Sequence, residues 1–273
     1  MQKVDLFLFA GQSNMAGRGI SCERFPETAP AVLPGAGWEY RAVSAPGQLF
    51  PITEPFGINE NSPGGISEHI KTGSMVSAFV NAYYTKTHVP VVGVSASKGG
   101  SVIAEWQPGT PYLTDALNRL SAAKVFLSHS DCRIRHTYIL WCQGESDGDA
   151  GTKKEAYMQG FDRMLSVMLS TGMEQLFLVR IGHCNVEGSF SRYVPMMEWQ
   201  EEIARTNSHV TLVSRVFSTM RERGLMKDAF HYYQAAYNEA GTEAGENAAA
   251  WVCQQTEALF GGNKVALDSV NNL

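Results

Sequence analysis

Leu6-Phe7-Leu8-Phe9-Ala10-Gly11-Gln12-Ser13-Asn14-Met15-Ala16-Gly17 carries the clearest structural signal in the sequence. A continuous apolar run breaks at a glycine and passes into Gln12, Ser13 and Asn14. The pattern reads as a β-strand covered on both faces, ending in a tight turn with a helical turn behind it. Ser13 then stands at the carboxyl end of a first strand, where open α/β sheets bind their ligands. Taken alone, a serine in that place fits a helix cap as well as a nucleophile.

The same rhythm recurs along the rest of the chain. Apolar runs at Val89–Ala96, Thr137–Cys142, Gln175–Ile181 and Val210–Ser214 alternate with helical spacing over Gly73–Lys86, Tyr112–His129, Lys153–Leu169, Val194–Arg205 and Tyr233–Leu259. Strands alternating with helices predict a parallel sheet with helices on both faces. The expected architecture is a single-domain, three-layer α/β/α sandwich with a five-stranded parallel sheet, of flavodoxin-like form. Residues 18–72 interrupt the rhythm. They are rich in Pro and Gly, yet carry Trp38, Tyr40, Phe50 and Phe56. Aromatic content argues for order. The segment is read as an ordered excursion over the functional face, carrying short pieces of helix or strand. The last dozen residues are polar and are expected to fray.

Composition narrows the function classes. The chain has 273 residues, 44% hydrophobic and 18% charged, with a formal net charge of −5. No basic stripe is present, which argues against a nucleic-acid partner. No apolar run approaches the roughly 20 residues that span a bilayer. No cationic segment followed by an apolar core opens the sequence, so a cytoplasmic location is expected. The cysteines (Cys22, Cys132, Cys142, Cys184, Cys253) are odd in number, widely spaced and without a CxxC, as fits free thiols in a reducing compartment. Neither a metal nor a cofactor is expected, and Gly11–Gly17 matches neither the dinucleotide nor the phosphate-loop pattern.

Three strands end in polar, glycine-bearing turns: Gly11-Gln12-Ser13-Asn14, Lys98-Gly99-Gly100-Ser101 and Gln143-Gly144-Glu145-Ser146-Asp147. In a parallel sheet all three ends lie on one edge. A hydrolytic serine needs a base, a group that orients the base, and donors for an oxyanion. Asp228 and His231, three apart late in the chain, can supply carboxylate and imidazole; His183, also after a strand, is the competing base. The Ser13 amide, the amide of Gly99 or Gly100, and the Gln143 side chain are the candidate donors. Gln12, Asn14 and Glu145 are candidates for site support or sugar contact. Arg18 could bind a sugar carboxylate or pair with an acid, and Trp106 could stack on a sugar ring or pack in the core.

The blocks Gly11-Gln12-Ser13-Asn14-Met15, Lys98-Gly99-Gly100-Ser101, Trp141-Cys142-Gln143-Gly144-Glu145-Ser146-Asp147 and Asp228-x-x-His231 occur in this order. Together they resemble the SGNH-hydrolase superfamily, and within it the carbohydrate-esterase branch of sialate O-acetylesterases and acetylxylan esterases. The resemblance covers residue 5 to about 250. It implies Ser13 as nucleophile, His231 as general base and Asp228 as its orienting partner, with Ser13, Gly99 or Gly100, and Gln143 forming the oxyanion hole. The activity it implies is metal-independent hydrolysis of O-acetyl esters on sialic acid or xylan-type sugars through an acetyl-enzyme, the partner being an acetylated sugar or oligosaccharide. A carbohydrate-binding protein with a dead esterase fold is the alternative. Neither the sugar nor the oligomeric state is legible.

Overall fold

Seven strands form one sheet in the order β3-β2-β4-β1-β5-β6-β7 in the computed structural model, which describes residues 1–268. The strands are β1 (Gln2–Gly11), β2 (Gly37–Tyr40), β3 (Leu49–Pro51), β4 (Val91–Ser97), β5 (Cys132–Cys142), β6 (Gln175–Val179) and β7 (Val210–Ser214). The helices are α1 (Ser13–Ala16), α2 (Val76–Thr87), α3 (Pro111–Ser128), α4 (Glu145–Ala150), α5 (Lys154–Ser170), α6 (Val194–Thr206), α7 (Phe217–Met220) and α8 (Gln234–Asp268). A 3₁₀ turn covers Ile103–Trp106. The end of the expected fraying tail, beyond residue 268, lies outside the described residues.

The expected five-stranded parallel sheet is corrected to a seven-stranded mixed one. Strands β1, β4, β5, β6 and β7 are the five read from the sequence. The other two come from the excursion: β2 pairs parallel with β4, and β3 pairs antiparallel with β2. They were hidden because each is short and flanked by Pro and Gly, so neither shows a period. Strand β5 also begins earlier than its apolar run. Cys132, Arg133 and Ile134 pair with Gln2, Lys3 and Val4 of β1, and their half-exposed, partly charged side chains do not read as a buried strand.

Period-two alternation along β1 divides the core into two layers. Leu6, Leu8 and Ala10 face a cluster built on α3, α5 and α6. Phe7 and Phe9 face a second cluster built on α2, α7 and α8. Helices α2 and α8 touch backbone to backbone: a Cβ on Gly241 would fall 2.2 Å from the Met75 carbonyl oxygen, and one on Gly245 2.4 Å from that of Phe79. Among the described residues no helix is long and apolar enough to cross a membrane.

The excursion is fixed by polar anchors rather than by repeating structure. The Glu54 carboxylate accepts from the Ser74 amide at 2.9 Å and the Ser77 amide at 3.2 Å, at the start of α2. The Glu60 carboxylate accepts from the Val43 and Ser44 amides. Arg119, a buried charge on the inner face of α3, donates to the carbonyl oxygens of Glu60 (3.0 Å), Ser95 (2.8 Å) and Ile66 (2.9 Å). Lys71 is also buried, donating to Phe56 O and Ser95 Oγ, and burial lowers its pKa to about 8.

Register delivers the turns to one place. Gly11 at the end of β1 is opposite Ser97 of β4 on one side and Cys142 of β5 on the other. The next residues of each strand therefore emerge side by side. Gly11 itself is required there: its φ is +139°, and a Cβ would fall 2.1 Å from the Cys142 carbonyl oxygen.

Candidate active site

Where the three turns emerge, a cleft of about 410 Å³ is lined by residues that include Ser13, Gly99, Gly100, Glu145 and His231. Ser13 opens α1 immediately after β1. The Gln12 carbonyl accepts from the amides of Met15 and Ala16, so the helical turn starts at the serine. Its own amide belongs to a first turn, whose N–H groups have no intrahelical acceptor. Ser13 Oγ lies 2.9 Å from His231 Nε2. His231 Nδ1 lies 3.0 Å and 3.1 Å from the two Asp228 carboxylate oxygens. One of those oxygens also accepts from the amides of Phe230 and His231, each at 2.8 Å, which closes the Asp228–His231 turn. His183 is not among the residues lining the cleft.

The electrostatics suit a base. Burial lowers the His231 pKa below its ordinary value; Asp228 opposes this, and Arg18 and Lys227 add to it. The ring is thus neutral at pH 7 and its Nε2 is free to take a proton. Burial opposes the Asp228 charge, but the two backbone amides and the imidazole outweigh it and hold the carboxyl below its usual value.

Of the candidate oxyanion donors, two are committed elsewhere. The Gly99 amide donates to a Glu68 carboxylate oxygen at 2.6 Å. The Gln143 side chain is fully buried, and its Nε2 donates to Ser101 O at 3.1 Å and to Asp147 Oδ2 at 2.5 Å. The Gly100 amide finds no acceptor among the described residues, and Gly100 sits at φ +75° beside the open cleft.

The remaining candidates divide between cleft and core. Gln12 lines the cleft while its Oε1 accepts from the amides of Gly144 and Ser146, tying the β1 turn to the start of α4. Arg18 lines the cleft and pairs with Glu68 at 2.9 Å. Asn14 is fully buried beneath Ser13. Trp106 is not in the cleft: it is fully buried, donates to Ser101 Oγ and packs edge-on against Trp141. Of the two readings left open for Trp106, its burial and its contact with Trp141 favour core packing over sugar stacking. Sequence reasoning missed Glu68, Ile70, Asp149 and Phe230 as cleft residues. Only Phe230, inside Asp228-x-x-His231, had a positional signal.

A family model described as carbohydrate esterase, sialic acid-specific acetylesterase, matches residues 3–250. The chain belongs to this family. The resemblance drawn from the four sequence blocks is borne out at that level. Two solved structures share the family member's fold. A protein from Arabidopsis thaliana is 21% identical over 89% of this chain and 96% of its own, with a TM-score of 0.65. A carbohydrate acetylesterase from Xanthomonas citri is 13% identical over 89% of this chain and 55% of its own, with a TM-score of 0.57. No curated protein matches the chain.

Proposed function

We propose that this carbohydrate esterase is a serine O-acetylesterase acting on acetylated sugars through Ser13, His231 and Asp228. The observation that carries the reading is the 2.9 Å contact between Ser13 Oγ and His231 Nε2, with Asp228 held on the opposite ring nitrogen. Ser13 Oγ attacks the acetyl carbonyl carbon as His231 Nε2 takes its proton, and Asp228 stabilises the imidazolium that forms. The developing oxyanion is met by the Ser13 and Gly100 amides. Collapse expels the sugar oxygen, which takes the proton from His231. Water, deprotonated by the same ring, then hydrolyses the acetyl-Ser13 ester to acetate.

Gly100 is preferred over Gly99 as the second donor because Glu68 already accepts from Gly99. Gln143 acts in this scheme from below: its amide holds Ser101 O and so fixes the turn that presents Gly100. Removing one oxyanion donor typically costs about 10² to 10³ in kcat.

The test is hydrolysis of p-nitrophenyl acetate, followed by acetate release from acetylated sialic acid, acetylated xylo-oligosaccharides and simple acetyl sugars. Ser13→Ala abolishes release from every substrate the native protein cleaves. Wild-type rates in Ser13→Ala overturn the nucleophile assignment. Binding of an acetylated sugar by the native protein with no acetate released replaces the esterase reading with a binding one.

A further inference from the structure

Asn14 follows the proposed nucleophile and Phe230 precedes the proposed base. Asn14 Nδ2 donates to the Phe230 carbonyl oxygen at 3.1 Å and to Glu145 Oε1 at 2.5 Å. Its Oδ1 accepts from the Tyr237 hydroxyl at 2.6 Å. The amide's orientation is fixed, because a carbonyl at Phe230 accepts and never donates. Asn14 thus ties the residue after Ser13 to the residue before His231, two positions 216 residues apart along the chain. Glu145 reaches this tie from a third element, the start of α4. It is almost wholly buried, its second oxygen has no hydrogen-bond partner among the described residues, and burial raises its pKa to about 7, against the Asn14 bond. A carboxyl with only one bonded oxygen is costly to bury.

We propose that Glu145 is a positioning residue: as acceptor for Asn14 it sets the amide that clamps the Phe230–His231 loop, and so holds His231 Nε2 against Ser13 Oγ. This rests on the triad reading above. Without an acceptor at residue 145, one Asn14 N–H is left buried and unpaired, the amide turns to seek a partner, and the Phe230 carbonyl is released. The loop keeps its internal Asp228–His231 bonds but loses its distance to Ser13. The consequence falls on the chemical step and not on sugar binding.

Glu145→Gln and Glu145→Met test this, measured on p-nitrophenyl acetate. Both remove the charge at nearly constant size, and only the glutamine keeps an acceptor. Glu145→Met lowers kcat by roughly 10- to 100-fold, the scale of leaving a buried donor unpaired, with KM little changed, and Glu145→Gln restores kcat to within about threefold of the native value. Equal losses in the two variants overturn the proposal in favour of a charge effect, and native kcat in Glu145→Met overturns it outright. If Glu145→Met does not fold, Asn14→Ala replaces it: kcat falls at least as far, and native kcat there overturns the proposal. Ser13→Ala, run alongside, separates the two readings. An active Ser13→Ala sinks the triad, whereas an inactive Ser13→Ala beside a fully active Glu145→Met sinks only the positioning role.

Discussion

Ser13 and Glu68 line the same cleft, yet they come from opposite kinds of chain. Ser13 is delivered by a strand in register: Gly11 pairs with Ser97 and Cys142, and the turns that follow have no other place to emerge. Glu68 is delivered by the excursion 18–72, whose path is set by individual charged side chains holding backbone groups, such as Glu54, Glu60 and Arg119. Register places many residues with one repeating rule. Anchors place one residue at a time. The consequence is a division of labour in the cleft: the proposed reacting groups sit on or beside the sheet edge, and the groups proposed to tune them come from the excursion. Arg18 and Glu68 form such a tuning pair, one lowering the His231 pKa and the other holding the Gly99 amide.

The comparison breaks first at the sheet edge. His231→Ala lowers kcat/KM on p-nitrophenyl acetate by about 10⁴-fold or more, as loss of a triad member does. Its denaturant midpoint stays near the native value, because the residue is not a core packing element. A small kinetic loss would mean that the Ser13–His231 contact is not the reacting pair.

Breaking an anchor has the opposite signature. Glu54→Ala leaves the amides of Ser74 and Ser77 without their acceptor at the start of α2. Stability falls by roughly 1–3 kcal/mol, read from urea unfolding. The activity of the molecules that remain folded is far less affected than in His231→Ala. Native stability in Glu54→Ala would show that apolar packing, and not the anchor, orders the excursion.

Arg18→Met sharpens the tuning claim. As the proposed base His231 works only when neutral, and its folded pKa is below the ordinary value, so the acid limb of kcat/KM is expected below about pH 6.5. Arg18 is one of the cations that disfavour the imidazolium. Removing it raises the His231 pKa, and the acid limb moves to higher pH. A limb that stays in place or moves down contradicts the assigned coupling.

Trp106→Phe is the mildest perturbation. The indole is buried against Trp141 and donates to Ser101 Oγ. Stability drops, while KM for an acetylated oligosaccharide stays near native. A rise in KM with unchanged stability would return Trp106 to the sugar.

These contrasts also explain what the sequence disclosed. The five strands read from apolar runs are all present because a strand buried on both faces has a composition no loop shares. The convergence of Ser13, Gly99, Gly100 and Gln143 was legible because a parallel sheet puts the ends of its strands on one edge, while Asp228 and His231, which follow no strand of the sheet, were read from their spacing of three. What stayed hidden depends on contacts between distant residues. Strands β2 and β3 are too short to show a period. Glu68 has no motif, and its place near Gly99 is a matter of distance alone. Gln143 stands at the expected edge, but no spacing rule reveals that its amide is already bonded to Ser101 and Asp147. Trp106 reads equally as ring or core until Trp141 is seen beside it.

The central claim is that Ser13 carries the acetyl group between two half-reactions. Acid-quenching the native protein during turnover of an acetyl ester, followed by peptide mass spectrometry, tests it directly. The account predicts one added acetyl group on the peptide containing Ser13, absent in Ser13→Ala and accumulating most with activated acetyl esters. An acetyl group found on another residue, or steady turnover by Ser13→Ala, would contradict it.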